Sequence, residues 1–248
     1  MLKEERQKLI MKEINLHNKV LSTDLSVMLG VSEDTVRRDM KDLADTGKII
    51  KVHGGAINKS LVSSFSVDNE VYAKEAKQII AQKALSLLKN DMVVLCEGGT
   101  TLQELTYVIP ENLKLTIFTV SPQVAILLSR HANLEVITIG GRLNKNGNVH
   151  VGATVINQLN AIKADLCLMG VNALSAEGLT DIDWEAVQVN KAMIENSRKT
   201  ALLTISEKLN VSKRFKVSEL DEIHYLITEL EPGDQQLAVY RDAGIRIQ

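Results

Sequence analysis

The stretch Leu21-Ser-Thr-Asp-Leu-Ser-Val-Met-Leu-Gly-Val-Ser-Glu-Asp-Thr-Val-Arg-Arg-Asp-Met-Lys-Asp-Leu43 constrains this chain more than any other. It reads as two short helices joined at Gly30-Val31. Ser22 or Thr23 can cap the first helix, whose Leu25, Met28 and Leu29 face a core. Gly30 suits the sharp turn, because a left-handed backbone costs it little. Ser32 caps the second helix, where Val36, Met40 and Leu43 recur at helical spacing and point inward. A preceding helix is predicted over 4–18 from Leu9, Ile10, Ile14 and Leu16. After Gly47, the β-branched run Ile49-Ile-Lys-Val-His-Gly-Gly55 predicts a hairpin. Together these make a winged helix-turn-helix, whose second helix fits a DNA major groove.

With the apolar positions turned inward, Glu33, Thr35, Arg37, Arg38 and Lys41 lie on exposed or flanking faces. Arginine can donate two parallel hydrogen bonds to guanine or clamp a phosphate, and Thr35 can meet a thymine methyl or a phosphate. Thr23, Ser32, Lys51 and His53 complete the expected contact set on double-stranded DNA. The plainer reading is that Arg37, Arg38 and Lys41 only pair with Glu33, Asp34 and Asp45 along the helix, and that His53 is a solvated loop residue. Charge does not decide between them. Residues 1–57 carry ten basic against nine acidic side chains, and the whole chain has a formal charge of −2. The DNA reading therefore rests on motif geometry.

At 248 residues the chain predicts two domains, a winged helix-turn-helix over 1–57 and an α/β domain over 71–248, joined by a serine- and asparagine-rich connection over 58–70. Hydrophobic residues at 45% suffice for a sizeable core, and aromatics at 3% make it aliphatic. No apolar run approaches the roughly 20 residues that span a bilayer, and the polar start lacks the apolar segment of a signal peptide. Cys96 and Cys167 fit no metal-binding spacing and sit in apolar runs, as buried thiols of a reducing compartment would. The expectation is a cytoplasmic protein without membrane, metal or cofactor.

Beyond the connection, helices and strands alternate. Helices are predicted over 74–89, 122–130, 183–196 and 235–242, and Gly98-Gly-Thr-Thr101 is read as a loop that opens a further helix to about Val108. Strands are predicted over 92–96, 115–119, 135–139, 164–171, 200–205, 225–228 and 245–247. Such alternation implies a mostly parallel sheet covered by helices on both faces. Ligands of such sheets bind beyond the carboxyl ends of the strands. Gly98, Gly99, Thr100 and Thr101 fall there and offer N–H groups and hydroxyls to an oxyanion. Ser121, Gly140, Gly141 and Arg142 end two further strands. Lys208 can neutralise a phosphate, and Glu97 can accept from sugar hydroxyls. Each feature has a bland rival, a tight turn or a solvated lysine, and their shared edge is what favours a pocket.

The motifs Arg6-Gln-Lys-Leu-Ile10, Leu29-Gly-Val-Ser-Glu-Asp-Thr-Val-Arg-Arg-Asp-Met-Lys-Asp-Leu43 and Lys51-Val-His-Gly-Gly-Ala56 resemble the N-terminal signature of the DeoR family of bacterial transcription regulators. The resemblance runs on through Glu97-Gly-Gly-Thr-Thr101, Gly178-Leu-Thr-Asp-Ile-Asp183 and Ile205-Ser-Glu-Lys208. It implies a sensor domain similar in fold to ribose-5-phosphate isomerase and the coenzyme A transferases, holding a phosphorylated sugar with Asp181 and Lys208 among its contacts. Glu97, Ser121 and Ile205 depart from the family pattern of Asp, a Thr-Asn pair and Asp. A homo-oligomer, dimer or tetramer, follows from the need to meet successive major grooves. The rival function is a sugar-phosphate isomerase with a DNA-binding appendage, taking Glu97, Asp181 or Asp183 as base and Lys208 as electrophile.

Overall fold

The computed structural model describes residues 1–17, 19–58, 71–145 and 147–248, in two compact units, a small one of 1–72 with 145–147 and a large one of 73–144 with 148–248. The small unit runs α1 (Lys3–His17), β1 (Lys19–Leu21), α2 (Ser22–Leu29), α3 (Glu33–Asp45), β2 (Ile49–Val52) and β3 (Gly55–Asn58). Its strands form one antiparallel sheet in the order β1-β3-β2. Ile10, Ile14, Leu25, Leu29, Val36, Met40, Leu43 and Ile49 make a single aliphatic core. Most of the connection expected over 58–70 lies outside the described residues, as does Asn18. Asn58 itself belongs to the wing, paired with Ile49.

Three local expectations are corrected here. Met28 is 48% exposed and Leu9 is 40% exposed; an eight-residue helix turns only Leu25 and Leu29 fully into so small a core. Neither Ser22 nor Thr23 caps α2, since Leu21 holds the cap position without a side-chain bond. The Ser22 backbone N–H and hydroxyl donate instead to the Gly54 carbonyl, at 2.9 and 3.0 Å. This ties the start of α2 to the tip of the wing.

The large unit runs α4 (Lys74–Ala84), β4 (Met92–Cys96), α5 (Thr100–Val108), β5 (Leu115–Thr119), α6 (Pro122–Leu128), β6 (Leu134–Thr138), β7 (Arg142–Asn144), β8 (Val149–Val151), α7 (Ala153–Leu159) and β9 (Leu166–Gly170). It continues with β10 (Ala173–Ser175), β11 (Gly178–Asp181), α8 (Trp184–Glu195), β12 (Thr200–Leu203), β13 (Phe215–Ser218), β14 (Tyr225–Ile227), α9 (Ala238–Asp242) and β15 (Arg246–Ile247). Seven strands form a wholly parallel sheet in the order β15-β14-β12-β9-β4-β5-β6. Central strands are apolar on both faces; Leu166–Met169 are all buried, as are Ala201, Leu202 and Leu203. The order reverses between β4 and β9, since the chain winds outward from β4 through β5 to β6 and then returns to β9. In parallel sheets such a switch point opens a crevice beyond the strand ends.

The hairpin β7–β8, helix α7 and an antiparallel sheet ordered β10-β11-β13 went unforeseen in the large unit, as did β1 in the small one. Cys96 and Cys167 are buried free thiols, and burial pushes the Cys96 thiol up to about 12.

Candidate functional site

Helix α3 begins on Ser32, whose hydroxyl accepts the Thr35 N–H at 3.3 Å. The Thr35 hydroxyl lies 3.0 Å from that of Ser32. Both side chains are thus oriented at the first turn of the recognition helix. Arg37, Arg38 and Lys41 are exposed. The Arg37 guanidinium donates to Glu33 at 2.7 Å and lies 3.7 Å from Asp34, so the helix pairing weighed for it does occur. An exposed i,i+4 pair is worth only about 0.3–0.5 kcal/mol, little enough for a DNA phosphate or guanine to displace. Lys51 is exposed on β2 and His53 at the wing tip. Thr23 is exposed next to Ser22, which bonds the Gly54 carbonyl at the tip of the wing. Gly55 permits this closeness, since a Cβ there would collide with the Val20 carbonyl oxygen.

One contributor to this reader escaped the sequence reading. Asp39 lies on the buried side of α3 and accepts from Arg6 on α1, at 2.7 Å from Nε and 3.3 Å from a terminal nitrogen. The Asp39 side chain is 3% exposed.

In the large unit, three candidate residues converge on the end of β9. Glu97, just past β4, accepts the Gly170 N–H at 2.8 Å. Lys208 donates to the Val171 carbonyl at 2.8 Å. Asp181, ending β11, accepts from the Asn172 side chain at 3.2 Å and from the backbone N–H groups of Ile182 and Asp183. Three consecutive residues at the switch point thus hold two carboxylates and an ammonium. Burial, then the charge of Asp181, pushes Glu97 up to about 7, against hydrogen bonds from Asn190 and Gly170 and the charge of Lys208. Burial draws Lys208 down to about 8, against Asp181 and Glu97. It also raises Asp181, against its backbone and Asn172 donors. The ionisation of such groups is sensitive to any charge that enters.

Beside this cluster, Gly98 leads to Gly99, whose φ of +106° sets the start of α5. Thr100 and Thr101 are the first residues of that helix and are part-buried, with α5's free N–H groups around them. A Cβ at Gly98 would press on Val149 and on Ser121. Ser121 is 2% exposed, and its hydroxyl caps α6 through Val124. Gly140 and Gly141 are exposed, the latter against Val155. Arg142 is exposed and pairs with Glu185, while Asn144 donates to Asp183 at 2.9 Å. Hairpin β7–β8 is thereby strapped to the 181–185 loop, two residues beyond Asp181. Among the described residues, no group of three or more His, Cys, Asp or Glu could hold a metal ion, and no helix is long and apolar enough to cross a membrane.

Comparison with known proteins bears on both units. Residues 6–61 match the DeoR-like helix-turn-helix domain, and residues 72–230 match the DeoR C terminal sensor domain. The chain is 29% identical over 247 residues to the HTH-type transcriptional regulator GolR of Listeria innocua, covering 98% of this chain and 97% of that protein. It is 30% identical over 225 residues to the glycerol-3-phosphate regulon repressor of Haemophilus influenzae, covering 90% and 88%. Ribose 5-phosphate isomerase A of Methanocaldococcus jannaschii overlaps 55% of this chain and 54% of its own, with 19% identity and a TM-score of 0.40. The near-full-length relatives are regulators, not the isomerase that a base such as Glu97 and a lysine such as Lys208 also admitted. With the reader matched at one end and the sensor at the other, the chain belongs to the DeoR family of DNA-binding transcription regulators.

Proposed function

We propose that this repressor acts in the cytoplasm as a homo-oligomer on operator DNA of carbohydrate genes, and that a small phosphorylated sugar or polyol, seated at the β4–β9 switch point, controls it. One observation carries the effector reading: Glu97, Asp181 and Lys208 are gathered on Gly170, Val171 and Asn172, beside the N-terminus of α5. Lys208 and the N–H groups at Thr100 and Thr101 suit a phosphate. Asp181 and Glu97 suit the hydroxyls of its carbon skeleton. The oligomer supplies two readers, because a single recognition helix reaches only one major groove. An effector shifts operator affinity to the extent that it binds one arrangement of the readers more tightly than another.

The test is a thermal-shift panel on the full chain with sugar phosphates, glycerol 3-phosphate and the corresponding unphosphorylated compounds. A ligand at 100 times its Kd stabilises by about 2.7 kcal/mol. The positive compounds then go into a gel shift with the DNA upstream of the chain's own gene. Stabilisation by phosphorylated compounds alone, with altered operator binding, is the expected result. Stabilisation by the unphosphorylated set, or by none, overturns the effector class.

A further inference from the structure

We infer that Glu229 is a positioning residue of the sensor site: it fixes the turn that presents Lys208 to an effector. This rests on the effector reading above, in which Lys208 meets the ligand, and adds a residue outside every motif of the sequence.

Lys208 closes the single 3-10 turn Ser206–Lys208, and Ile205, which precedes the turn, supplies no side-chain cap. The first N–H of that turn is taken from outside it. Glu229 lies two residues past β14, the strand paired with β12, so its backbone runs beside the chain that leaves β12 for the turn. Its carboxylate accepts the Ser206 N–H, at 3.0 Å from each oxygen. One oxygen also accepts the Ser206 hydroxyl at 2.5 Å, and the other the Thr228 hydroxyl at 2.8 Å. Glu229 is itself held from behind. Lys83 of α4 donates to the Thr228 and Leu230 carbonyls, both at 2.8 Å, which clamps the backbone on either side of Glu229. The links run from Lys83 through the 228–230 segment and Glu229 to Ser206. They end on Lys208, whose ammonium donates to the Val171 carbonyl at 2.8 Å.

This arrangement calls for a carboxylate. The Ser206 N–H and the two hydroxyls all donate to the Glu229 oxygens, and an ionised carboxylate is acceptor-only on both. Glutamine keeps the shape but replaces one acceptor by an NH2 group, so one of these bonds must be lost or reversed. Lysine carries its charge on a flexible four-carbon stem and loses much rotamer freedom when its head is held. Its ammonium meets a ligand at low cost only where the backbone beneath it is already fixed by other bonds. The Glu229 bonds are of that kind, because none of them depends on the ligand.

The experiment treats the full chain with acetic anhydride at neutral pH without ligand and reads acetylation lysine by lysine by mass spectrometry. Calorimetry then measures binding of inorganic phosphate, glycerol 3-phosphate and fructose 6-phosphate. Wild type, Glu229→Gln and Ser206→Ala are compared. In Glu229→Gln, Lys208 should be acetylated severalfold faster, while the buried Lys77 keeps its wild-type rate. Every probe that binds wild type should bind Glu229→Gln about tenfold more weakly, the scale of one charge-assisted hydrogen bond. Ser206→Ala removes one donor and leaves the carboxylate. It should shift both readings the same way by less, and it carries the comparison alone if Glu229→Gln does not fold. A wild-type rate of Lys208 acetylation in Glu229→Gln overturns the inference, whatever the affinities do. Faster acetylation of Lys77 and Lys208 together overturns it too, since that marks general loosening. Faster acetylation of Lys208 alone, with wild-type affinity, upholds the grip of Glu229 and overturns Lys208 as an effector contact. Binding of no probe to wild type overturns the effector reading, and the acetylation of Lys208 still decides whether Glu229 holds it.

Discussion

Asp39 of the recognition helix takes both arms of the Arg6 guanidinium from α1, on the side of α3 that also buries Val36, Met40 and Leu43. The pair ties α3 to α1, so a buried charge helps set how the helix that carries the exposed Arg37, Arg38 and Lys41 sits in its unit. Removing one partner of a buried pair is far more damaging than replacing both with apolar residues, because the survivor is left uncompensated.

Asp39→Ala is therefore expected to give the larger fall in melting temperature, and to lose operator binding with it. Arg6→Leu combined with Asp39→Leu should recover most of the stability. Thermal unfolding and gel shift on the same preparations check this. A single Asp39→Ala variant that melts like wild type would show that the pair positions nothing.

Arg37→Ala and Arg38→Ala should leave the fold intact, since both side chains are exposed. An arginine that reads a guanine costs roughly 1–3 kcal/mol of operator affinity when lost and relaxes preference at that base pair; one on a phosphate lowers the salt dependence instead. Glu33→Ala frees Arg37 from its 2.7 Å partner, and should tighten binding to any DNA at low salt. Unchanged operator affinity in the double arginine variant, at physiological salt, would falsify the assignment of α3 as reader.

Much of this architecture is legible in the chain because several local signals agree. Ser32 followed by Val36, Met40 and Leu43 announces both a capped start and a buried face. Strands β4 and β5 were readable to the residue, each an apolar run closed by a polar or glycine-rich turn. What stayed hidden is of two kinds. Strands β7, β10 and β11 are three or four residues long, too short for alternation to register. Asp39 and Lys77 are charged residues at buried helix positions, and on a helical wheel they read as solvated surface. The role of Asp39 comes from Arg6, 33 residues away. Ser121 was readable as a strand-end hydroxyl but serves as a cap, since the proline that follows it opens a helix.

Glu97→Gln tests the electrostatics of the sensor site directly. The folded carboxyl is held near 7 by burial first and by Asp181 second, against about 4.3 in an unfolded chain. Between those values the folded state keeps a proton that the unfolded state has released. This group's contribution to stability therefore falls as pH rises from about 4 to 7, and its full cost is carried above that window. Glutamine keeps the shape and an oxygen for the Gly170 N–H but cannot ionise. The variant should match wild type in stability near pH 4.5 and exceed it at pH 7.5 by an amount on the order of 2–3 kcal/mol. Burial raises Asp181 as well, so the two proteins are compared at each pH rather than either curve being read alone. Denaturant melts at a series of pH values supply that comparison. A difference that stays constant from pH 4.5 to 7.5 would mean that Glu97 is already ionised at acid pH in the folded chain, and that burial at the switch point does not govern it.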